Sequence, residues 1–271
     1  MKRSYKIAAL LISILVLKVI QLYFFNSNGI IKTLVRKVHT RDVPYGVFVI
    51  NLERRRDRLE TFLKHFDNSD LKNHVLVRHP AVDGSKLDIE NLSISPKARK
   101  QFEELAQSKK RKHHYQFPDI GAFGCYLSHT QLFEITVKNN HTYSIVFEDD
   151  FHCPPNILKT IDSYLRTIPD DWDMLLINFT CHDCKKIRKY RKVTLFWGLG
   201  AYVISQKGAR KLLNSGLLFP MTQQIDFFLS EMSSEINIYA LPVSIGKTSG
   251  TSDIQTTNAC GDEIWERYLL K

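Results

Sequence analysis

The run Tyr143-Ser-Ile-Val-Phe-Glu-Asp-Asp150 constrains this chain more than any other stretch. Its apolar residues read as a buried strand, and the strand leads directly into three carboxylates. Crowding like charges at the end of a buried strand is costly unless something cationic sits among them. In open α/β sheets, ligands bind just beyond the carboxyl ends of the strands. Hard oxygen ligands there suit Mg²⁺ or Mn²⁺, which would in turn hold a diphosphate. The competing reading of the same residues is an ordinary strand followed by an acidic surface turn.

The surrounding pattern supports a sheet. Gly46–Leu52 reads as a first buried strand, and Glu53–Phe66 as a charged amphipathic helix with Leu59, Phe62, Leu63 and Phe66 on one face. Val75–Val82 is a second strand that ends at the turn signal Asp83-Gly84. A helical stretch near Pro96–Gln107 and a long apolar helix over Gly121–Val137 precede the acidic strand. Beyond it, a helix opens at Pro154-Pro155, Trp172–Asn178 is a strand and Leu195–Ser205 is strand-like. Lys207–Asn214 and Ile225–Met232 read as helices, and Ile236–Val243 as a late strand. Lys185–Lys192, with six cations, is expected to be an exposed loop, or a contact for an anionic acceptor or lipid surface. Strands alternating with helices imply an α/β sandwich with a mainly parallel central sheet. Neither G-x-G-x-x-G nor G-x-x-x-x-G-K-[ST] occurs, so neither a Rossmann dinucleotide site nor a P-loop is supported.

Charge does not point to nucleic acid. The net charge is +10, but residues 1–45 carry +7 of it and the rest is nearly balanced at +3. No nucleic-acid motif is present. The basic excess flanks an apolar segment, Ile7–Phe25, whose 19 residues would span about 28 Å as a helix, roughly one hydrocarbon core. This gives an expected layout of a cytosolic tail at 1–6, a transmembrane signal anchor at 7–25, a short stem at 26–44 and a catalytic domain at 45–271. The corresponding location is a single-pass type II membrane protein facing the Golgi or endoplasmic reticulum lumen, with a bacterial inner membrane as the other setting. A cleaved signal peptide with Ile7–Leu17 as its apolar region is the competing reading, although no small-x-small site follows. Sequons at Asn91, Asn140 and Asn178 fit a lumenal domain, though Asn178 ends a predicted buried strand. Of the five cysteines, Cys181 and Cys184 read as a loop disulfide or two free thiols rather than half a zinc site.

Six blocks, in order over about residues 46–254, resemble glycosyltransferase family 25, which includes lipooligosaccharide and collagen galactosyltransferases. They are Val49-Ile-Asn-Leu-Glu-Arg-Arg-Arg-Asp-Arg58, Ala81-Val-Asp-Gly84, Gly121-Ala-Phe-Gly-Cys-Tyr-Leu-Ser-His129, Phe147-Glu-Asp-Asp150, Gly200-Ala-Tyr-Val-Ile-Ser-Gln-Lys-Gly-Ala209 and Ile225-Asp-Phe-Phe-Leu229. The resemblance implies a GT-A-type nucleotide-sugar-binding fold. It also implies transfer of a hexose, expected to be galactose from UDP-galactose, with inversion, to a hydroxyl of a glycan, glycolipid or glycoprotein. Glu148, Asp149 and Asp150 would match the DxD element. Asp150 is the expected direct ligand of Mn²⁺ or Mg²⁺; Glu148 is a second candidate ligand, and Glu148 or Asp149 would face the ribose or a bound water.

Asn51, Arg54 and Arg58, at the first strand's end and its helix start, suit nucleotide or phosphate contacts; a solvated helix face is the bland reading of the arginines. Asp83 would be a second nucleotide contact, or simply a turn residue. His129 would line the site on the strength of the resemblance, against a satisfied core histidine. Inversion requires a base separate from the metal-bound acids, and Asp226 is the candidate, against a helix-start carboxylate. The alternative function is a catalytically silent relative that binds sugars or partner proteins. A metal-dependent phosphoesterase is a weaker alternative, because the ten histidines form no scattered His/Asp ligand pattern.

Overall fold

The computed structural model describes residues 45–108, 111–187 and 189–248. The expected anchor at 7–25 and stem at 26–44 lie outside the described residues, and no described helix is long and apolar enough to cross a membrane.

The first strand, β1 (Tyr45–Asn51), is buried along almost its whole length, as the apolar run Gly46–Ile50 demands. Helix α1 (Arg56–Asp67) returns the chain so that β2 (Leu76–Pro80) lies parallel to β1; a crossover is what a parallel pairing requires. Helices α2 (Pro96–Ser108) and α3 (Ile120–Lys138) lead to β3 (Tyr143–Glu148), which pairs parallel to β1 on its other side. A two-residue strand β4 (Phe151–His152) and helix α4 (Ile157–Leu165) precede the long strands β5 (Met174–Ile187) and β6 (Tyr190–Ser205). Helices α5 (Gln206–Asn214) and α6 (Ile225–Glu231) then lead to β7 (Ile238–Ala240), and β8 (Lys247–Thr248) pairs with β4. The six-stranded sheet has the order β2-β1-β3-β6-β5-β7. Five strands point the same way, and β6 alone runs against them.

Strand alternation assigns the layers. On β3, Phe147 meets Phe62 of α1 at 5.6 Å between ring centroids. Ser144, on the opposite face, accepts a hydrogen bond from Thr136 of α3. The sheet is therefore covered by α1 on one side and α3 on the other. Because α3 is apolar all round, it is buried along its length, including Phe123, Tyr126, Leu132 and Phe133.

The expected loop over 185–192 is corrected by the structure. The segment belongs to a hairpin in which β5 and β6 pair from Met174 to Ile187 against Tyr190 to Ile204, with register shifts along the way. Lys185, Lys186 and Lys189 are exposed, whereas Arg191 and Lys192 on β6 are half-buried and donate to the Pro242 carbonyl and to Asn237 Oδ1, so the charged run belongs to the ends of paired strands. Cys181 and Cys184 form a disulfide on the β5 arm rather than in a loop.

Candidate active site

Strands β1 and β3 lie side by side and parallel, with Ile50 opposite Glu148, so their carboxyl ends open together. At that edge lies a cleft of about 370 Å³, lined by Arg54, Arg58, Asp83, His129, Glu148, Asp149 and Asp150 among others.

The middle acid is held from below. Asn51, 1 % exposed, donates from Nδ2 to Asp149 Oδ2 at 2.7 Å and to the Arg55 carbonyl at 2.8 Å. Its own Oδ1 accepts from Arg78 Nε at 2.9 Å. Arg58 Nη1, in the first turn of α1, donates to Asp149 Oδ1 at 3.2 Å. Both Asp149 oxygens are thus engaged. Burial raises the Asp149 pKa, and the Asn51 and Arg58 contacts offset that only in part. Arg58 keeps two buried donors, Nε and Nη2, with no hydrogen-bond partner among the described residues. Arg58 lines the cleft, and a guanidinium with two donors unengaged among the described residues has the hydrogen-bonding capacity to take an anion.

Asp150 behaves differently. Its Oδ1 is buried and has no hydrogen-bond partner among the described residues. Burial, and next the neighbouring Glu148, push its pKa up to about 7, with Arg58 opposing and Asp149 adding to the rise. Desolvation, with like charges crowded at one strand end adding to it, accounts for this. Glu148 is half-buried, and its Oε1 lies 3.3 Å from His129 Nε2.

The far wall is built by α3. Asp119 caps the helix by accepting from the Ala122 N–H at 3.3 Å. Gly124 allows the preceding loop to approach, because a Cβ there would meet the Val82 carbonyl at 2.3 Å. One turn on, Ser128 Oγ accepts from the Val82 N–H at 2.9 Å and donates to the Gly124 carbonyl at 2.7 Å. These contacts fix the turn at Gly84–Lys86, which Asp83 caps by accepting from the Ser85 amide and hydroxyl. Arg54 pairs with Asp83 at 2.9 Å across the cleft. Burial raises the Asp83 pKa, but the Ser85 contacts and Arg54 outweigh it and leave the carboxylate below its ordinary range. Two further residues of α3, Cys125 and His129, stand one turn apart on the cleft side. His129 is 1 % exposed, and its Nδ1 lies 2.9 Å from the buried Tyr202 hydroxyl.

Asp226 sits beside this cleft, in the first turn of α6, without lining it. It is not the helix cap, a position held by Gln224. Its Oδ2 instead accepts from the Gly198 N–H at 3.0 Å and its Oδ1 from the Phe227 N–H at 2.9 Å. Gly198 adopts φ +83°, the left-handed region that glycine tolerates, and this aims its amide at Asp226. Burial raises the Asp226 pKa, the two amides lower it, and Glu148 raises it again. The Cys125 thiol, raised well above its ordinary value by burial, feels Glu148, Asp226 and Asp150 in turn. These four groups therefore share one electrostatic neighbourhood.

Of the residues singled out from sequence, Arg54, Arg58, Asp83, His129, Glu148, Asp149 and Asp150 line the cleft. Asn51 lies beneath it and holds Asp149 rather than facing a ligand. Cys125, Tyr202 and Arg78 were not singled out. The Cys125–His129 spacing of four on a helix is a signal that could have found the first; Tyr202 and Arg78 act through contacts far apart in sequence.

Residues 45–229 match the model of a family described as glycosyltransferase family 25 (LPS biosynthesis protein). A "Glycosyltransferase 25 family member" of Anopheles gambiae is 32% identical over 178 residues, covering 62% of this chain and 28% of that protein. "Procollagen galactosyltransferase 1" of Danio rerio is 28% identical over 200 residues, covering 69% of this chain and 31% of that protein. A Bos taurus protein named "Probable inactive glycosyltransferase 25 family member 3" is 28% identical over 201 residues, with 69% and 31% covered. The chain spans about a third of the length of these curated relatives.

Proposed function

The chain belongs to glycosyltransferase family 25, and from that premise we propose that it is a metal-dependent glycosyltransferase of GT-A type. It moves a hexose from a nucleotide diphosphate donor to an acceptor hydroxyl. Galactose from UDP-galactose is the donor in this reading, because a relative carries the name procollagen galactosyltransferase. The acceptor class is a glycan, glycolipid or glycoprotein. The expected N-terminal anchor would present the domain to a lumen.

One observation carries the reading: a buried Asp150 oxygen with no partner among the described residues, in the same cleft as Glu148 and Arg58. Carboxylate oxygens are the donor set that Mn²⁺ or Mg²⁺ prefers, so these residues fit a hard cation. Asp150 and Glu148 would hold it. When bound, such an ion neutralises charge on a leaving diphosphate. Arg58 would bind a phosphate oxygen through Nε and Nη2 while Asp149 and Asn51 keep its side chain in place. Arg54 and Asp83, already paired across the opening, would frame the nucleoside. Asp226 would take the proton from the acceptor hydroxyl as the sugar carbon inverts. Its raised pKa makes it a stronger base than an ordinary carboxylate, and Gly198 and Phe227 hold its orientation.

A silent, sugar-binding relative is the second reading, supported by the similarity to the probable inactive protein. Retention of Asp150, Glu148 and Asp226 favours activity. Calorimetric titration with UDP tests the donor site. Binding that needs Mn²⁺ and is lost in Asp150→Ala is expected; equal binding with and without metal contradicts the reading.

A further inference from the structure

From the cleft wall we infer a second kind of ligand: Cys125, His129 and Glu148 together form a site for a thiophilic divalent cation such as Zn²⁺. One ligand atom from each, a thiol sulfur, an imidazole nitrogen and a carboxylate oxygen, all lie within 4.8 Å of one another. Cys125 and His129 occupy successive turns of α3, and Glu148 meets them from the end of β3. A sulfur, a nitrogen and an oxygen from three protein side chains are donors that zinc accepts, and three protein ligands leave a fourth tetrahedral position for water or substrate. It is not the all-oxygen set of the neighbouring acids, so the two sites differ in the ion they select.

The surroundings already supply an outer partner. His129 Nδ1 lies 2.9 Å from the Tyr202 hydroxyl, which can donate to the ring or accept from it. Coordination through Nε2 requires the tautomer in which Nδ1–H donates to Tyr202 and the Nε2 lone pair faces the ion. A hydrogen bond that fixes the tautomer of a ligating histidine is a general feature of such sites. The Cys125 proton leaves to solvent as the sulfur–metal bond forms, because coordination deprotonates a thiol outright. Occupancy withdraws Glu148 from the acids that would hold a hard cation, so Zn²⁺ is expected to inhibit any Mn²⁺-dependent activity.

The inference does not rest on the transferase reading, and its test reads the metal–sulfur bond directly. Co²⁺ replaces Zn²⁺ as the spectroscopic probe. Titrating the full-length reduced chain should raise a thiolate-to-cobalt charge-transfer band that saturates at one ion per chain and is bleached by Zn²⁺. Cys125→Ser should remove the band. Independently, Zn²⁺ should slow iodoacetamide labelling of Cys125 in the unaltered protein, mapped to its peptide by mass spectrometry; this needs no variant to fold. No band at saturating Co²⁺, a band that survives in folded Cys125→Ser, or no protection of Cys125 overturns the site. A chain that shows the band and protection but no metal-dependent UDP binding would keep this site and lose the transferase.

Discussion

At the residue scale, Asp149 and Asp150 are adjacent in sequence and opposite in consequence. Asp149 neutralises a buried arginine and accepts from a buried asparagine. Removing one partner of a buried pair costs about 3 kcal/mol or more, so Asp149→Ala should lower the melting temperature markedly. Asp150 carries the cost of burial and of crowding by Glu148 and Asp149, which Arg58 offsets only in part. Asp150→Ala should leave metal-free stability unchanged or higher while abolishing turnover. The two melting curves, compared in chelator, check the contrast. The same crowding sets a pH dependence. The folded chain holds the Asp150 proton up to about 7, whereas an unperturbed aspartate releases it near 3.8. Between those values the folded state binds more protons than the unfolded one, so stability falls as pH rises through that window. Asp149 and Asp226 contribute with the same sign. Urea unfolding in chelator at pH 5 and pH 8 should show the loss, and Asp150→Asn should shrink it. For Asp226, an asparagine can still accept one of the two amide hydrogen bonds but cannot take a proton. Asp226→Asn should reduce turnover roughly 10²-fold or more while UDP affinity stays near normal. Turnover close to the unaltered protein's would return Asp226 to tying α6 to β6.

At the element scale, α3 positions the site by letting another segment come close. Gly124 faces the Val82 carbonyl and the Gly84 amide, so a methyl group there meets backbone rather than a movable side chain. Gly124→Ala should cost about 1–3 kcal/mol and displace the Asp83 turn, weakening UDP binding more than it slows turnover of bound donor. Calorimetry on the folded variant would separate the two. The motif Gly121–His129 was legible as a block, but why its glycine and serine matter was not. Their partners, Val82 and Gly84, lie some 40 residues away in sequence. The buried strands and amphipathic helices were readable because their periodicity is local. The β5–β6 hairpin was misread because six cations in Lys185–Lys192 mimic a loop. Only the pairing of Lys185 with Lys192 and of Lys186 with Arg191 across the two arms shows that these residues lie on strands. Asn51 was placed at the right strand end, but its hydrogen bond to Asp149 was not legible, since the two are 98 residues apart.

At the scale of the whole molecule, a sheet with five strands in one direction gathers its carboxyl ends on one edge, and the acids, arginines and α3 converge there. That convergence is what an α/β sheet offers a ligand. It explains why three acids can be tolerated in succession at Glu148–Asp150. The central claim is that they serve a divalent cation and a nucleotide sugar. The most direct measurement is product formation from a panel of nucleotide sugars by the full-length chain, with and without Mn²⁺. The expected result is hexose release or transfer from UDP-galactose above the other donors, requiring Mn²⁺ and absent in Asp150→Ala. Turnover that persists in excess chelator, or no turnover of any donor by a chain that is folded and metal-loaded, would contradict it.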